Sequence, residues 1–170
     1  MSAATDLLID GFGRVRDNVH AVLDGLGASE LSFRPGPEAN TIAWLVWHLT
    51  RVQDDHVADL EGSEQVWTSA GWFDRLGLPF DPAATGYGQS ADDVAAVAAE
   101  SGALLAGYHD AVYERTIAYV STLTDADLAR VVDESWTPPV TLAVRLVSVI
   151  DDDAQHVGQA AYLRGLAEHG

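Results

Sequence analysis

Asp152 and His156 stand four residues apart in a segment that reads as helix. At that spacing the two side chains leave adjacent turns, roughly 6 Å apart along the axis, and a carboxylate and an imidazole can converge on one ion. His48 falls within an apolar arc formed by Trp44, Leu45, Leu49 and Val52 on an earlier segment, so it is expected to face an interior. One histidine from one helix and an Asp/His pair from another supply two nitrogens and one oxygen around an open coordination position. Zinc accepts that set in catalytic sites; nickel, iron and manganese accept it too. Gln159 shares the His156 face and is placed to hydrogen-bond a ligand or the substrate. Arg145, up the same helix, is a candidate anchor for a substrate carboxylate and fits a surface salt bridge equally well, and Asp55 is a candidate base near the His48 face.

Two bland alternatives stand beside the metal reading. In an acidic chain, Asp152 and His156 also fit a solvated salt bridge, and Asp151, Asp152 and Asp153 a solvated run. A helical wheel sharpens the objection. Ala143, Leu146, Ile150, Ala154, Val157 and Ala161 form an apolar stripe nearly opposite the proposed ligands, so the site requires this helix to be covered on a second side. His48 alone also fits a core histidine bonded to backbone or to Asp55. His56 reads as displaced and ordinary, and His20, His109 and His169 have no convergent partners.

Four long helices are needed to position these residues, near 4–26, 40–60, 91–123 and 139–167. The first carries Leu8, Phe12, Val15, Val19, Val22 and Leu26 at three- and four-residue steps. Asn40 is the expected cap of the second. Between the second and third lies a long connection, residues 62–90, rich in Gly, Pro and aromatics, with a helical turn expected near Trp72–Leu76; connections of this length often build part of a site. Gly102 and Gly107 weaken the third helix, and residues 124–128 read as a capped turn. No alternation long enough for a sheet appears. Four helices over 170 residues imply one all-α domain, a four-helix bundle. Most of the five tryptophans are expected to fill the core, and some to wall a pocket.

Composition narrows the partners. Nine Lys+Arg against 26 Asp+Glu give a net charge of -17, which repels phosphate backbones and anionic lipid. With no cysteine in the chain, any thiol chemistry must use a thiol that arrives as substrate. The N-terminal residues carry no secretory pattern and no window approaches a membrane span, so a cytoplasmic location is expected. Phosphate-loop, dinucleotide, HExxH and GxSxG motifs are all missing from the sequence.

Two segments, Ile42-Ala-Trp-Leu-Val-Trp-His-Leu-Thr50 and Asp152-Asp-Ala-Gln-His-Val-Gly-Gln159, together resemble the DinB-like superfamily, and the similarity runs over essentially the whole chain. The resemblance implies an up-down-down-up four-helix bundle, commonly dimeric, with a metal between helices held by His48, Asp152 and His156. It also implies the second covering surface that the wheel demands. Many members carry a histidine in place of Asp152. The branch this chain looks most like, which contains mycothiol-dependent maleylpyruvate isomerase, has a His, Glu, His triad, so Asp152 departs from both patterns. Characterised relatives are isomerases and S-transferases that use mycothiol or bacillithiol. The expected activity is therefore metal-dependent transfer of a low-molecular-weight thiol to an electrophile, with Asp55 and Gln159 assisting. Metal-assisted hydrolysis and a non-catalytic metal- or ligand-binding stress protein are the rivals.

Overall fold

Helix α1 (Ala3–Leu23) begins where the Ser2 hydroxyl accepts from the Thr5 amide, and it buries Leu8, Phe12, Val15, Val19 and Val22. It stops before Leu26, at a turn in which Gly25 takes a φ of +73°; a short helix, α2 (Ala28–Leu31), follows. The structure is a computed structural model and describes residues 2–169.

Helix α3 (Ile42–Glu61) is capped by Thr41, not by Asn40: the Thr41 hydroxyl accepts from the Trp44 amide at 3.1 Å. Every residue from Ile42 to Asp54 is buried, and Gly62 closes the helix in the left-handed region. Beyond it, α4 (Val66–Ser69) and α5 (Trp72–Leu76) punctuate the connection, the latter at the expected position.

The third long helix differs from expectation. It is split into α6 (Ala91–Ala96) and α7 (Gly102–Val120). Around residue 101 the chain bridges back to Gly27, and the Gly102 amide donates to the Leu26 carbonyl. A Cβ on Gly102 would lie 2.6 Å from the Leu23 carbonyl oxygen, so close backbone approach to the end of α1 fixes the break and requires glycine. The capped turn is α8 (Asp125–Leu128), with Thr124 and Asp127 capping reciprocally.

A second departure is a small antiparallel ladder, β1 (Val131–Asp133) against β2 (Val140–Thr141), which feeds the chain into α9 (Leu142–His169). The four long helices pack side by side, α3 against α7 and α9, and α1 against the same two. No helix among the described residues is long and apolar enough to cross a membrane.

The connection is fastened to the bundle from within. Arg51 and Asp54, one turn apart on α3, are both buried. Arg51 donates through Nε to the Ala84 carbonyl and through its two terminal nitrogens to the Pro82 carbonyl, the Gln65 side chain and the Tyr108 hydroxyl. Asp54 accepts from the Val66 and Trp67 amides, each at 2.8 Å, and from the Tyr108 hydroxyl. It thereby satisfies two of the orphan donors at the start of α4. Burial pushes the Asp54 carboxyl up, against the three hydrogen bonds and Arg51, which favour the carboxylate. Asp54→Ala leaves the buried guanidinium without its counter-charge. Urea unfolding should show a loss of about 3–5 kcal/mol, and limited proteolysis should show early cleavage within residues 62–90.

Candidate metal centre

The expected ligands meet. One ligand atom from each of His48, Asp152 and His156 lies within 4.8 Å of the others. His48 comes from α3 and the other two from α9. The wheel objection is resolved by the phase of α9. Its buried face runs through Leu142, Leu146, Val149, Asp153, Val157 and Ala160, while Ala154 and Ala161 are exposed. The buried arc is thus rotated by roughly 60° from the apolar stripe, which leaves Asp152 and His156 at its edge, against α3. The three consecutive acids occupy three environments: Asp151 exposed, Asp152 in the cluster, Asp153 fully buried.

Each imidazole is set by a bond on its far side. The His48 Nδ1 meets the Thr85 carbonyl, which only accepts, so Nδ1 carries the proton and Nε2 presents a lone pair. The His156 Nδ1 lies 3.2 Å from Gln159 Oε1, and its Nε2 lies 3.7 Å from Asp152 Oδ1, too far for a hydrogen bond. Asp152 Oδ2 is buried with no hydrogen-bond partner among the described residues. Two aimed lone pairs and an orphaned carboxylate oxygen form a donor set that fits a divalent ion. A tetrahedral ion with bonds of about 2.0–2.1 Å holds its ligands roughly 3.4 Å apart, so binding asks for a contraction of at most about 1.4 Å from the 4.8 Å within which they lie. Burial lowers the His48 pKa, opposed by the Thr85 carbonyl and Asp152 and aided by His156; the net direction favours the unprotonated form a metal requires.

The surroundings come from the connection. Trp44 stacks on His48 with ring centroids 4.6 Å apart and donates its Nε1–H to Gln89. Tyr87 packs edge-on to His48 at 5.2 Å. A Cβ on Gly86 would stand 2.5 Å from the His48 Nδ1, and Gly86 has a φ of +108°. Both facts require glycine there.

The remaining candidates lie outside the cluster. Asp55 accepts from Gln65, which also accepts from Arg51, so it belongs to the network beneath the connection. Gln159 touches the ring of His156. Arg145 is paired with Asp133 at 2.9 Å and lies beside His56 Nδ1. His20 pairs with Asp110, His109 is buried against Thr50 and its pKa is lowered to about 4 by burial, and the His169 side chain falls outside the described residues. Residues that the sequence reading passed over are Arg51, Asp54, Thr85, Gly86 and Tyr87, and His56, read there as ordinary, lines the cleft beside Asp152. Only the first two left a signal, a charged pair inside an apolar stretch of helix.

His156→Ala should abolish metal retention with the fold intact, because it removes an edge residue and leaves the buried face of α9 unchanged; elemental analysis and circular dichroism check both halves. Asp152→Ala should weaken retention as well, with Asp152→His milder. Equal metal content in wild type and the alanine variants would reduce the pair to a surface contact of about 0.3–0.5 kcal/mol. Gly86→Ala displaces the backbone over His48. It should lower metal affinity by about tenfold or more, the scale of losing a ligand's orienting partner, as read by competition with a chelating dye.

A crystal structure of a conserved protein from Enterococcus faecalis superposes with a TM-score of 0.89 at 31% identity, covering 96% of each chain. No match is found among curated proteins. The DinB superfamily profile matches residues 12–160. With the helices and the His/Asp/His cluster in place, the conclusion is that this chain belongs to the DinB superfamily.

Proposed function

We propose that this chain is a divalent-metal-dependent thiol S-transferase that joins a low-molecular-weight thiol of the mycothiol or bacillithiol kind to an electrophile. In this reading the chain is one domain, an up-down-down-up four-helix bundle, and zinc is the leading ion. The observation that carries it is the state of the cluster: the outer hydrogen bonds of both imidazoles leave their other nitrogens unprotonated, and these rings cluster with Asp152, whose Oδ2 is buried without a partner among the described residues. A cleft of about 170 Å³, lined by Val52, His56, Tyr87, Ser148, Val149 and Asp152, opens beside it.

His48, Asp152 and His156 would hold the ion, which supplies the positive charge that favours thiolate over thiol. The protein's own work is positional. Thr85 and Gln159 fix the two rings, and Trp44 and Tyr87 screen His48 from water. Asp55 and Gln159 assist from outside the ligand set, Asp55 through Gln65 and Gln159 through His156. Arg145 stands further along the opening, where a carboxylate of a co-substrate would compete with Asp133 for it.

We also propose a cytoplasmic homodimer. The outer faces of α1 and α9 expose Leu7, Val144, Val147 and Tyr162, and a shallow groove of about 360 Å³ with Ala21, Ala154, Gly158 and Ala161 along it runs between the two helices. Small side chains there permit close helix approach.

The test is consumption of mycothiol, bacillithiol or a simpler thiol against a panel of electrophiles, with metal-loaded and chelator-stripped protein. Metal-dependent, thiol-dependent turnover is expected, lost together in His156→Ala and Asp152→Ala. Gln159→Ala should keep the metal and lose mainly rate or thiol affinity. Metal retention without any thiol loss across the panel would sink the proposal, and turnover without added thiol would mark a hydrolase.

A further inference from the structure

His56 read as an ordinary residue in the sequence, yet it lines the cleft beside the metal centre and its neighbours. The cleft at Asp152 shares His56 and Ser148 with a wider one of about 460 Å³, which continues past Arg145 to Trp136 and Val140. Arg145 Nη1 lies 3.3 Å from His56 Nδ1. A guanidinium can only donate, so Nδ1 must accept and the proton must sit on Nε2. Asp133 holds Arg145 in place through the other terminal nitrogen at 2.9 Å. Among the described residues Nε2 makes no hydrogen bond to protein. The bond from Arg145 thus selects the neutral ring, and burial and the Arg145 charge lower the His56 pKa in the same sense, opposed by Asp55, Asp152 and Asp59.

We infer that His56 is a fixed hydrogen-bond donor for a neutral carbonyl oxygen of the electrophile, held in its Nε2–H tautomer by the Asp133–Arg145 pair. This assignment rests on the thiol-transfer reading and names its substrate class: a planar, apolar, conjugated carbonyl compound, an enone. Addition of a thiolate to an enone forms the S–C bond at the β-carbon, and the π electrons move onto the carbonyl oxygen. There a donor does most good, since charge develops at that atom. The enolate takes up a proton from solvent, replacing the one the thiol released, and nothing leaves.

A carboxylate on the electrophile fits less well at His56 than a neutral carbonyl, whatever the thiol co-substrate carries toward Arg145. The Arg145 charge is already matched by Asp133, and Asp55, Asp59 and Asp152 all act on His56. The apolar part of the substrate has Val52 and Val149 inside and the Trp136 indole, which is 65% exposed, at the mouth.

Three probes of one shape decide it: benzylideneacetone, cinnamate and β-methylstyrene, titrated into metal-loaded wild type, His56→Phe and Arg145→Met with no thiol present. Binding is followed by tryptophan fluorescence, and the rings by nuclear magnetic resonance of isotope-labelled histidine. Expected results are an Nε2–H tautomer for His56, a shift of its resonance with benzylideneacetone, and about tenfold weaker enone binding in His56→Phe. The enone should bind more tightly than cinnamate or β-methylstyrene, and Arg145→Met should yield mixed tautomers. An Nδ1–H or charged His56, equal enone affinity in His56→Phe, or preference for cinnamate would overturn it. Because no thiol is used, a wild type that passes this test but consumes no thiol overturns the transfer reading alone.

Discussion

The centre depends on a charged pair that never reaches water. Arg51 and Asp54 sit inside the bundle, where removing two charges from solvent is expensive and mutual attraction rarely gives a large net gain. Their role is to specify. Between them they hold the start of α4 and the Pro82 and Ala84 carbonyls. The next residue, Thr85, places its carbonyl on His48, and Gly86 and Tyr87 follow across the ring. One end of the network therefore orders a long irregular segment, and the other end orients a ligand. Without it, residues 62–90 have little regular structure of their own to hold them over α3.

The long helices and the pairing of Asp152 with His156 were legible because apolar periodicity and a four-residue step are local properties. What the sequence hid was phase. The apolar stripe of α9 pointed away from the ligands because one core position, 153, is occupied by aspartate. A pattern reader takes a run of three acids as solvated, whereas Asp153 is fully buried and its carboxyl is held well above the usual range by burial and by Asp152. The break between α6 and α7 was half visible: Gly102 marked a weak point, but only its contact with the Leu23 carbonyl makes it a boundary. Thr85, Tyr87 and Arg51 act through folding-dependent proximity between segments tens of residues apart, and no spacing rule reports that.

The interior is more polar than a bundle core needs to be. Thr50, Gln53, His109, Thr116 and Asp153 are buried on three helices, and Gln53 Oε1, His109 Nε2 and both Asp153 oxygens lack partners. Buried groups left in that state cost free energy, so stability is drawn mainly from the flanking apolar layers. Those layers form two clusters, one under the connection and one at the opposite end around Phe12, Leu142 and Leu146.

More than half the chain separates His48 from Asp152. No local segment can assemble the donor set, and a bound cation would be a clasp across a loop of more than half the chain. Such a clasp discriminates between states of the chain more than between metals: it finds nothing to grip until α3 and α9 have docked, and afterwards it resists their parting. Its binding energy is then added to folding energy by mass action. Through it the persistence of the native state would become tied to the supply of an ion in the surroundings, and the atom that occupies the cluster would also be the one that keeps α3 and α9 together.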